Sequence, residues 1–243
     1  MVRLINVFAQ DLRGGIGKNG VLPWKHPLEM LWFKTLTCHP FHEKAPNPCI
    51  MGKRTYEAMP QPFFRNSNRS SCVISRTLRK KNMPKGIHCA PSIADGIHDM
   101  CFHHVTGPYM FSLGGKQLYD ELYQIKAVDW TIRSIIHDTF DCDTIMSSEH
   151  MSGTVLPLLY ITDTMKNFIP FHIELVLPTY ISRDSYEGWS NVENDIHQVI
   201  QRYIEQIKSF ETKHRVNTHS STEICIELLY KFNDEGTTFS PRV

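Results

Sequence analysis

Short apolar runs alternate with helix-like segments along most of this 243-residue chain. Parallel strands need long crossover connections, which are usually helical, so this alternation predicts an α/β fold with a mostly parallel sheet. The last two strands have no helix of that kind and are expected to form an antiparallel edge hairpin. The eight predicted strands are 4–10, 48–51, 72–75, 87–89, 109–113, 129–136, 173–181 and 224–232, and the connecting helices are 28–37, 53–59, 92–101 and 116–123.

One further helix interrupts this order, at 190–212, directly before the last predicted strand. Its apolar residues recur at helical spacing, and Ser190-Asn191-Val192-Glu193 has the pattern of a capping box. We favour a helix that packs on its own domain, and the alternative is a helix that docks on a partner chain. The polar stretch 213–222 is expected to be an exposed loop.

The composition is that of an ordinary soluble globular protein, with 41% hydrophobic and 21% charged residues. A net charge of +1 gives no reason to expect a nucleic-acid or membrane surface. The chain has neither a membrane-spanning apolar run nor a signal peptide, so a cytoplasmic location is expected. The seven cysteines are odd in number and form no Cys-x-x-Cys pair, which indicates reduced thiols. The cluster Cys38-His39-Pro40-Phe41-His42 matches no common zinc spacing, and no metal site is predicted.

Glu29 is an acid on a helical stripe that should be buried. It shares one helix face with Trp32, Phe33 and Leu36, at spacings of three, four and seven residues. Glu29 also lies in the first helical turn, where the helix dipole favours a carboxylate. A buried carboxylate needs a polar partner or has a functional use. The residues alone leave both interpretations open.

Four segments have the character of ligand-binding loops. The glycine-rich loop 14–20 is either a surface turn or a mobile lid. In two others, a strand runs through glycine into a helix, and the exposed N–H groups of a helix start favour phosphate. Cations and hydroxyls also follow the strand ends, a composition that suits a phosphate monoester. These three segments are 50–55 with Lys53, Arg54 and Thr55, 73–77 with Ser75 and Arg76, and 113–119 with Gly114 and Gly115.

Taken together, these segments resemble the dihydrofolate reductase family. The resemblance extends from residue 4 to about 144, with a family-like order and spacing of motifs. It implies one dihydrofolate-reductase-like domain over 1–243, with atypical additions at 146–171 and 188–221. The motifs are GIGKNGVLPW at 15–24, Glu29 with Trp32-Phe33, IMGKRT at 50–55, Ile74-Ser75-Arg76, Gly114-Gly115 with Tyr119, and Asp143-Thr144.

The resemblance implies NADPH-dependent reduction of 7,8-dihydrofolate to tetrahydrofolate, by hydride transfer to C6 with protonation of N5. This reaction would support one-carbon metabolism and thymidylate synthesis. Glu29 would anchor the pterin, Trp24 would hold a water against that acid, and Leu22 would belong to the loop that shields N5. Arg69 would bind the α-carboxylate of the substrate tail. The other implied substrate contacts are Val7, Ala9, Met30, Phe33, Thr55, Met59, Leu113, Tyr119 and Ser134.

The implied cofactor contacts fall into three groups. The adenosine end of NADPH would meet the residues after the second and third strands, and the diphosphate would meet the double glycine and the helix after it. The nicotinamide and its covering loop involve the start of the chain. These residues are Lys53, Arg54, Thr55, Ser75 and Arg76; Gly114, Gly115, Lys116, Gln117 and Leu118; and Ala9, Ile16, Gly17 and Gly20.

Two departures from the family pattern are local: Asn68 stands where a glycine commonly precedes the arginine, and Ser134 stands in place of a threonine. Two other functions remain open. One is a reductase of a different pterin or of a pyrimidine intermediate, and the other is a reductase-derived binding or scaffold protein. Through 190–212, the chain could contact a second copy of itself or a thymidylate synthase.

Overall fold

The computed structural model describes residues 2–43, 45–102, 107–163, 168–183, 186–218 and 224–229, and for Met151, Asp163 and 210–218 it describes the backbone. The strands are β1 (Arg3–Gln10), β2 (Gly15–Gly17), β3 (Asn47–Gly52), β4 (Arg69–Ile74), β5 (Ile87–Ala90), β6 (Tyr109–Ser112), β7 (Trp130–Ile136), β8 (Thr144–Ile145), β9 (Thr154–Asp163), β10 (Phe171–Leu177) and β11 (Ile224–Leu228). The α-helices are α1 (Pro27–Thr37), α2 (Lys53–Ala58), α3 (Gln61–Phe64), α4 (Ile93–Phe102), α5 (Lys116–Gln124) and α6 (Trp189–Thr218).

A nine-stranded sheet organises the described part of the chain, in the order β11-β9-β10-β7-β1-β6-β3-β4-β5. The pairs from β7 through β1, β6, β3 and β4 to β5 are all parallel. Strands β10, β9 and β11 extend the sheet antiparallel beyond β7. The predicted class, a mostly parallel sheet flanked by helices with an added helix before the last strand, is confirmed, with one more strand than the eight predicted.

The predicted hairpin between the last two strands is wrong, because β9 lies between β10 and β11. The sequence interpretation missed β9, whose apolar run contains Pro157, and proline is unfavourable within a sheet. The ladder between β9 and β10 shifts register at Ile173/Glu174, where Ile173 pairs with Leu159 and Glu174 with Pro157. Proline, which has no N–H to donate, is therefore accommodated at an irregularity of the ladder.

The two faces of the sheet carry different layers. On one face, Ile5, Val7 and Ala9 of β1 pack in a large core with residues of α1 and α6. On the other face, Leu4 joins a second core that contains residues of α4 and α5. Successive side chains of a strand point to opposite faces, which explains how one strand serves both cores.

Helix α6 packs on its own chain through the apolar stripe that the sequence predicted. The buried side chains of this stripe, which belong to the same core as α1, are Val192, Ile196, Val199, Ile200, Tyr203 and Ile207. The helix extends to Thr218, so the loop expected at 213–222 is wrong for 213–218, and 219–222 lies outside the described residues. The stripe is thus covered within the chain, which bears out the interpretation we favoured.

Two further observations concern the cysteines and the helices. All seven cysteines are free thiols, and Cys38, Cys49 and Cys72 are buried. Among the helices that the structure describes, none is long and apolar enough to cross a membrane.

Replacing Ile200, a fully buried residue of the α6 stripe, by alanine should lower the free energy of unfolding by about 2–5 kcal/mol, because it leaves a cavity in the main core. Gln201→Ala is the matched control, since Gln201 is the next residue of the helix and is exposed. Its effect should stay within about 0.5 kcal/mol. Urea unfolding of the three proteins measures both values, and equal stability of the Ile200→Ala and Gln201→Ala proteins would contradict the docking of α6.

Candidate active site

Glu29 lies in the first turn of α1, with 4% of its surface exposed. Its carboxyl group lies beside the Ser134 hydroxyl of β7, a strand that pairs with β1 through Ala9 and Ser134. Burial raises the pKa of Glu29 to about 7, although the neighbouring Ser134 hydroxyl works in the opposite direction. The acid therefore lies against the centre of the sheet and titrates near neutrality.

His26 caps the helix that carries this acid, and the sequence interpretation did not identify it. Its Nδ1 accepts a hydrogen bond from the backbone N–H of Glu29 at 3.3 Å, and its Nε2 lies 2.8 Å from the carbonyl oxygen of Ile169. A carbonyl can only accept, so the neutral tautomer with the proton on Nε2 satisfies both contacts. Burial lowers the pKa of His26. The missed signal is a polar side chain immediately before Pro27, which opens the helix.

Trp24 and Leu22 occupy different environments. Trp24 is buried with its ring 5.2 Å from that of Phe140, and its Nε1 has no hydrogen-bond partner among the described residues. Leu22 is 45% exposed. The Nε1–H of Trp24 is thus an available hydrogen-bond donor in the interior, whereas Leu22 lies at the surface of the loop.

The glycine-rich loop is tied to Asp143 and its neighbour. Strand β2 pairs with β8, and the backbone N–H of Asp143 donates to the carbonyl of Gly17 at 3.1 Å. The Asp143 carboxylate accepts from the backbone N–H of Asn19 at 2.7 Å. Gly20 has a φ of +81°, a conformation that favours glycine. Residues 14–20 therefore consist of a short strand that pairs with β8 and a tight turn after it.

Most residues predicted as apolar walls meet in one cluster. Val7, Ala9, Trp24 and Leu113 are buried there, and Phe33 and Met59 pack against it half-buried. Met30 is 41% exposed and is absent from that cluster. The structure therefore brings together five of the six residues predicted to line the apolar pocket, with Trp24 beside them, and leaves Met30 at the surface.

Arg69, at the start of β4, lies among groups that the sequence interpretation missed. Its guanidinium carbon is 3.8 Å above the ring centre of Phe63, and Nη1 donates to the Thr37 hydroxyl at 3.4 Å. Its Nε is buried without a hydrogen-bond partner among the described residues. Phe63 stacks with Phe33 at 6.2 Å, which connects the arginine to the apolar walls. Cation–π contact and a free donor leave this arginine able to pair with a carboxylate.

The two strand–glycine–helix segments lie against each other. The backbone N–H of Gly52 donates to the carbonyl of Gly114 at 2.6 Å, and the Gly114–Gly115 peptide is cis. A Cβ on Gly114, which has a φ of +93°, would meet the Tyr119 ring at 2.9 Å, and a Cβ on Gly115 would lie 3.4 Å from the Thr55 hydroxyl oxygen. Neither α2 nor α5 has a side-chain cap at its N-terminus. Uncapped N–H groups beside a glycine surface suit an anion.

Basic and hydroxyl side chains follow the ends of β3 and β4, next to this glycine surface. Gly52 and Ile74 are paired residues at the ends of neighbouring parallel strands, so the segments that follow them start side by side. Arg54 and Arg76 are both exposed. The Ser75 hydroxyl accepts from the backbone N–H groups of Thr77 and Leu78, at 3.2 and 3.1 Å. Lys53 lies 3.8 Å from Glu57.

The residues of α5 that were predicted to bind a ligand lie in different environments. Lys116 pairs with Asp120 and donates to the Ser147 hydroxyl at 2.7 Å, and Gln117 donates to Glu121 at 2.7 Å. Leu118 is buried in the α4–α5 core. Tyr119 is buried, and its hydroxyl donates to the carbonyl of Val7 at 2.7 Å. Ile16 packs on the small cluster that contains Tyr119. The backbone N–H groups of Lys116 and Gln117 are therefore what the first turn of α5 offers to a ligand, because those of Leu118 and Tyr119 donate to the Gly115 carbonyl.

Comparison with known proteins decides the family of this fold and site. The family model described as dihydrofolate reductase matches residues 3–152. The chain belongs to the dihydrofolate reductase family. It is 32% identical over 151 residues to a dihydrofolate reductase of Schistosoma mansoni, covering 59% of this chain and 77% of that protein. It is 29% identical over 147 residues to a dihydrofolate reductase of Candida albicans, covering 59% and 74%.

A third relative combines two activities in its name. A bifunctional dihydrofolate reductase-thymidylate synthase of Glycine max is 26% identical over 140 residues, which cover 54% of this chain and 26% of that protein. The chain is thus an enzyme of the dihydrofolate reductase family. Its strands β9, β10 and β11 and helix α6 lie beyond the residues that the family model matches.

The raised pKa of Glu29 predicts that the free energy of unfolding of the unliganded reductase depends on pH. A folded-state pKa of about 7, above the ordinary 4.5, means that stability is lost as the pH rises through this interval. Glu29→Gln should therefore stabilise the protein by about 3 kcal/mol at pH 8 relative to its effect at pH 4.

Urea unfolding at both pH values measures this difference. Glu205→Gln is the matched control, because it makes the same substitution at an exposed acid of the surface. An effect of Glu29→Gln that is the same at pH 4 and pH 8 would contradict the raised pKa.

Proposed function

We propose that this protein reduces 7,8-dihydrofolate to tetrahydrofolate with NADPH, in support of one-carbon metabolism and thymidylate synthesis. The observation that carries the proposal is Glu29, a buried carboxyl group beside Ser134 within apolar walls. A 2-amino-4-oxopteridine offers an amino group and a ring N–H that one carboxylate can accept side by side. A buried acid that has no cationic partner among the described residues fits such a ligand.

The substrate would lie with its pterin at Glu29 and its tail towards Arg69. Val7, Ala9, Phe33, Met59 and Leu113 would enclose the ring, with Thr55 and Tyr119 bordering it towards the cofactor. Met30, being exposed, would contact the substrate only at the mouth of the site. Arg69 would pair with the α-carboxylate of the tail, held for that purpose over Phe63.

The residues present fit NADPH. Gly114 and Gly115 with the uncapped first turn of α5 would hold the diphosphate, through the backbone N–H groups of Lys116 and Gln117, while the Leu118 N–H donates to the Gly115 carbonyl at 2.9 Å. Lys53, Arg54, Thr55, Ser75 and Arg76 would bind the adenosine end and its 2′-phosphate. Ala9, Ile16, Gly17 and Gly20 would border the nicotinamide. When bound, NADPH supplies the hydride that reduces C6 of the pterin.

The protein's own groups would prepare the substrate for this reaction. Glu29 would anchor the ring and favour its N5-protonated form, which accepts a hydride more readily than the neutral form does. The proton itself would reach N5 through water, with Trp24 Nε1 donating to a water beside the acid. The loop that carries Leu22 would cover N5 and exclude bulk solvent.

Further parts of the proposal concern the whole chain. We propose that residues 1–243 form one domain, with α6 and β11 as additions; the single sheet from β5 to β11 supports this. A cytoplasmic location and the absence of nucleic-acid partners remain predictions from composition. A contact with a second copy or with a thymidylate synthase through 190–212 also remains a prediction. It would use the exposed face of α6, because the apolar stripe is buried.

The direct test mixes the purified protein with NADPH and dihydrofolate and follows the loss of nicotinamide absorbance. A dihydropterin without the glutamate tail should give a higher KM, and Arg69→Ala should remove most of that difference. Turnover of another pterin or of a pyrimidine substrate in preference to dihydrofolate would identify a different reductase. A protein that binds these ligands without turnover would identify a scaffold.

Glu29→Gln should lower turnover at neutral pH by roughly 10²–10⁴-fold, because an amide cannot favour the N5-protonated substrate as a carboxylate does. Activity should return in part at acid pH, where dihydrofolate takes its proton from solution. The pH profile of single-turnover hydride transfer measures both effects. Wild-type turnover by the variant at pH 7 would show that the acid has another role.

Arg76→Ala should weaken binding of NADPH by roughly tenfold and leave binding of NADH nearly unchanged, since only NADPH carries the 2′-phosphate. Lys80→Ala is the control, because Lys80 is an exposed cation shortly after it. Fluorescence titration gives the dissociation constants of both cofactors. Equal losses for NADPH and NADH would remove Arg76 from the 2′-phosphate site.

A further inference from the structure

One peptide group of α1 has both its N–H and its carbonyl hydrogen-bonded to side chains that lie outside the helix. This group joins Leu28 to Glu29. Its carbonyl, that of Leu28, accepts a hydrogen bond from the Tyr203 hydroxyl at 2.9 Å. Its N–H, that of Glu29, donates to His26 Nδ1 at 3.3 Å. The two contacts together are called the peptide clamp.

The two clamping side chains are themselves fixed. Tyr203 has no exposed surface, and its ring stands edge-on to Trp32 at 5.3 Å. His26 is held through Nε2 by the carbonyl of Ile169 and by ring contacts with Phe168 and Phe171, at 5.2 and 4.6 Å. Burial, and next the nearby charge of Glu29, raise the pKa of Tyr203 well above its ordinary value, so the hydroxyl keeps its proton.

The clamp replaces stabilisation that the helix itself cannot provide. N–H groups in the first turn of a helix have no partner within the helix, so the Glu29 N–H depends on His26. Without that restraint, the first turn would be free to fray, and the Glu29 side chain would move with it. A side chain must be held within a fraction of an ångström to act on a substrate.

We propose that Tyr203 and His26 are positioning residues that orient Glu29 through the peptide clamp, so that the added helix α6 belongs to the working parts of the active site. The inference rests on the proposed function for its catalytic consequence, but the clamp itself can be tested without turnover. Helix α6 reaches α1 at a second point, where the Thr35 hydroxyl donates to Gln206 Oε1 at 2.6 Å. That contact lies on the same pair of helices and does not involve the clamped peptide.

Amide hydrogen exchange, followed by NMR at the Glu29 N–H of the unliganded protein, tests the clamp alone. Tyr203→Phe retains the ring and removes only the hydroxyl, and we expect it to speed exchange by roughly tenfold or more. His26→Ala should have at least that effect. His26→Asn keeps a side-chain acceptor at the N-cap and should restore most of the protection. Gln206→Ala should leave exchange at Glu29 within about twofold of the wild-type rate.

Single-turnover hydride transfer tests the catalytic consequence. Tyr203→Phe should slow transfer by roughly tenfold in the wild-type background, and by less than about twofold when Glu29 is already Gln. Loss through a general weakening of the fold would be the same in both backgrounds. Gln206→Ala should slow transfer by less than about twofold in either.

Each outcome bears on one proposal. Unchanged exchange at Glu29 in Tyr203→Phe would overturn the clamp. Equal slowing of hydride transfer by Tyr203→Phe with Glu29 and with Gln at that position would overturn the positioning role. A wild-type protein that does not reduce dihydrofolate, but shows the expected exchange pattern, would overturn the proposed function and leave the clamp intact.

Discussion

Glu29, buried beside Ser134, brings α1 against the centre of the sheet, and the arrangement of the site depends on this contact. It connects a helix near the start of the chain with β7, which bridges the parallel and antiparallel parts of the sheet. Because the carboxyl group is buried, its protonation, the stability of α1 and the recognition of a ligand are physically coupled. Burial among the apolar side chains raises the pKa of Glu29, and Ser134 limits that rise.

The parallel strands place the other groups around this acid. The ends of β3 and β6 bring Gly52 and Gly114 into contact, which puts the starts of α2 and α5 side by side. The end of β4 adds Ser75 and Arg76 next to them. The start of β4 adds Arg69, near Phe33 on the other side of the apolar cluster. A charged, glycine-rich region and an apolar region with one acid therefore adjoin, as a reaction between two dissimilar ligands requires.

Helix α6 changes the surroundings of α1 in this family member. It covers Trp32 and contributes Tyr203 to the main core, so that the back of the acid-bearing helix is shielded from water. Burial is the larger cause of the raised pKa of the Tyr203 phenol, and the nearby charge of Glu29 is the second cause. An addition that first looks like a peripheral helix is thus electrostatically close to the proposed pterin site.

The sequence by itself determined the local parts of this protein: the alternation of strands and helices, the glycine-to-helix segments, the acid on the α1 stripe and the amphipathic helix before the last strand. These follow from spacing and residue type within short windows, whereas the roles of most proposed site residues came from the resemblance to the dihydrofolate reductase family. Only the tertiary structure decided the place of β9, the engagement of Lys116 with Asp120 and Ser147, and the roles of His26, Phe63 and Thr37. It also decided the contact between Tyr203 and Leu28, which are 175 residues apart. Such pairings depend on how distant segments pack, and no local pattern encodes the partner of a buried hydroxyl or carbonyl group.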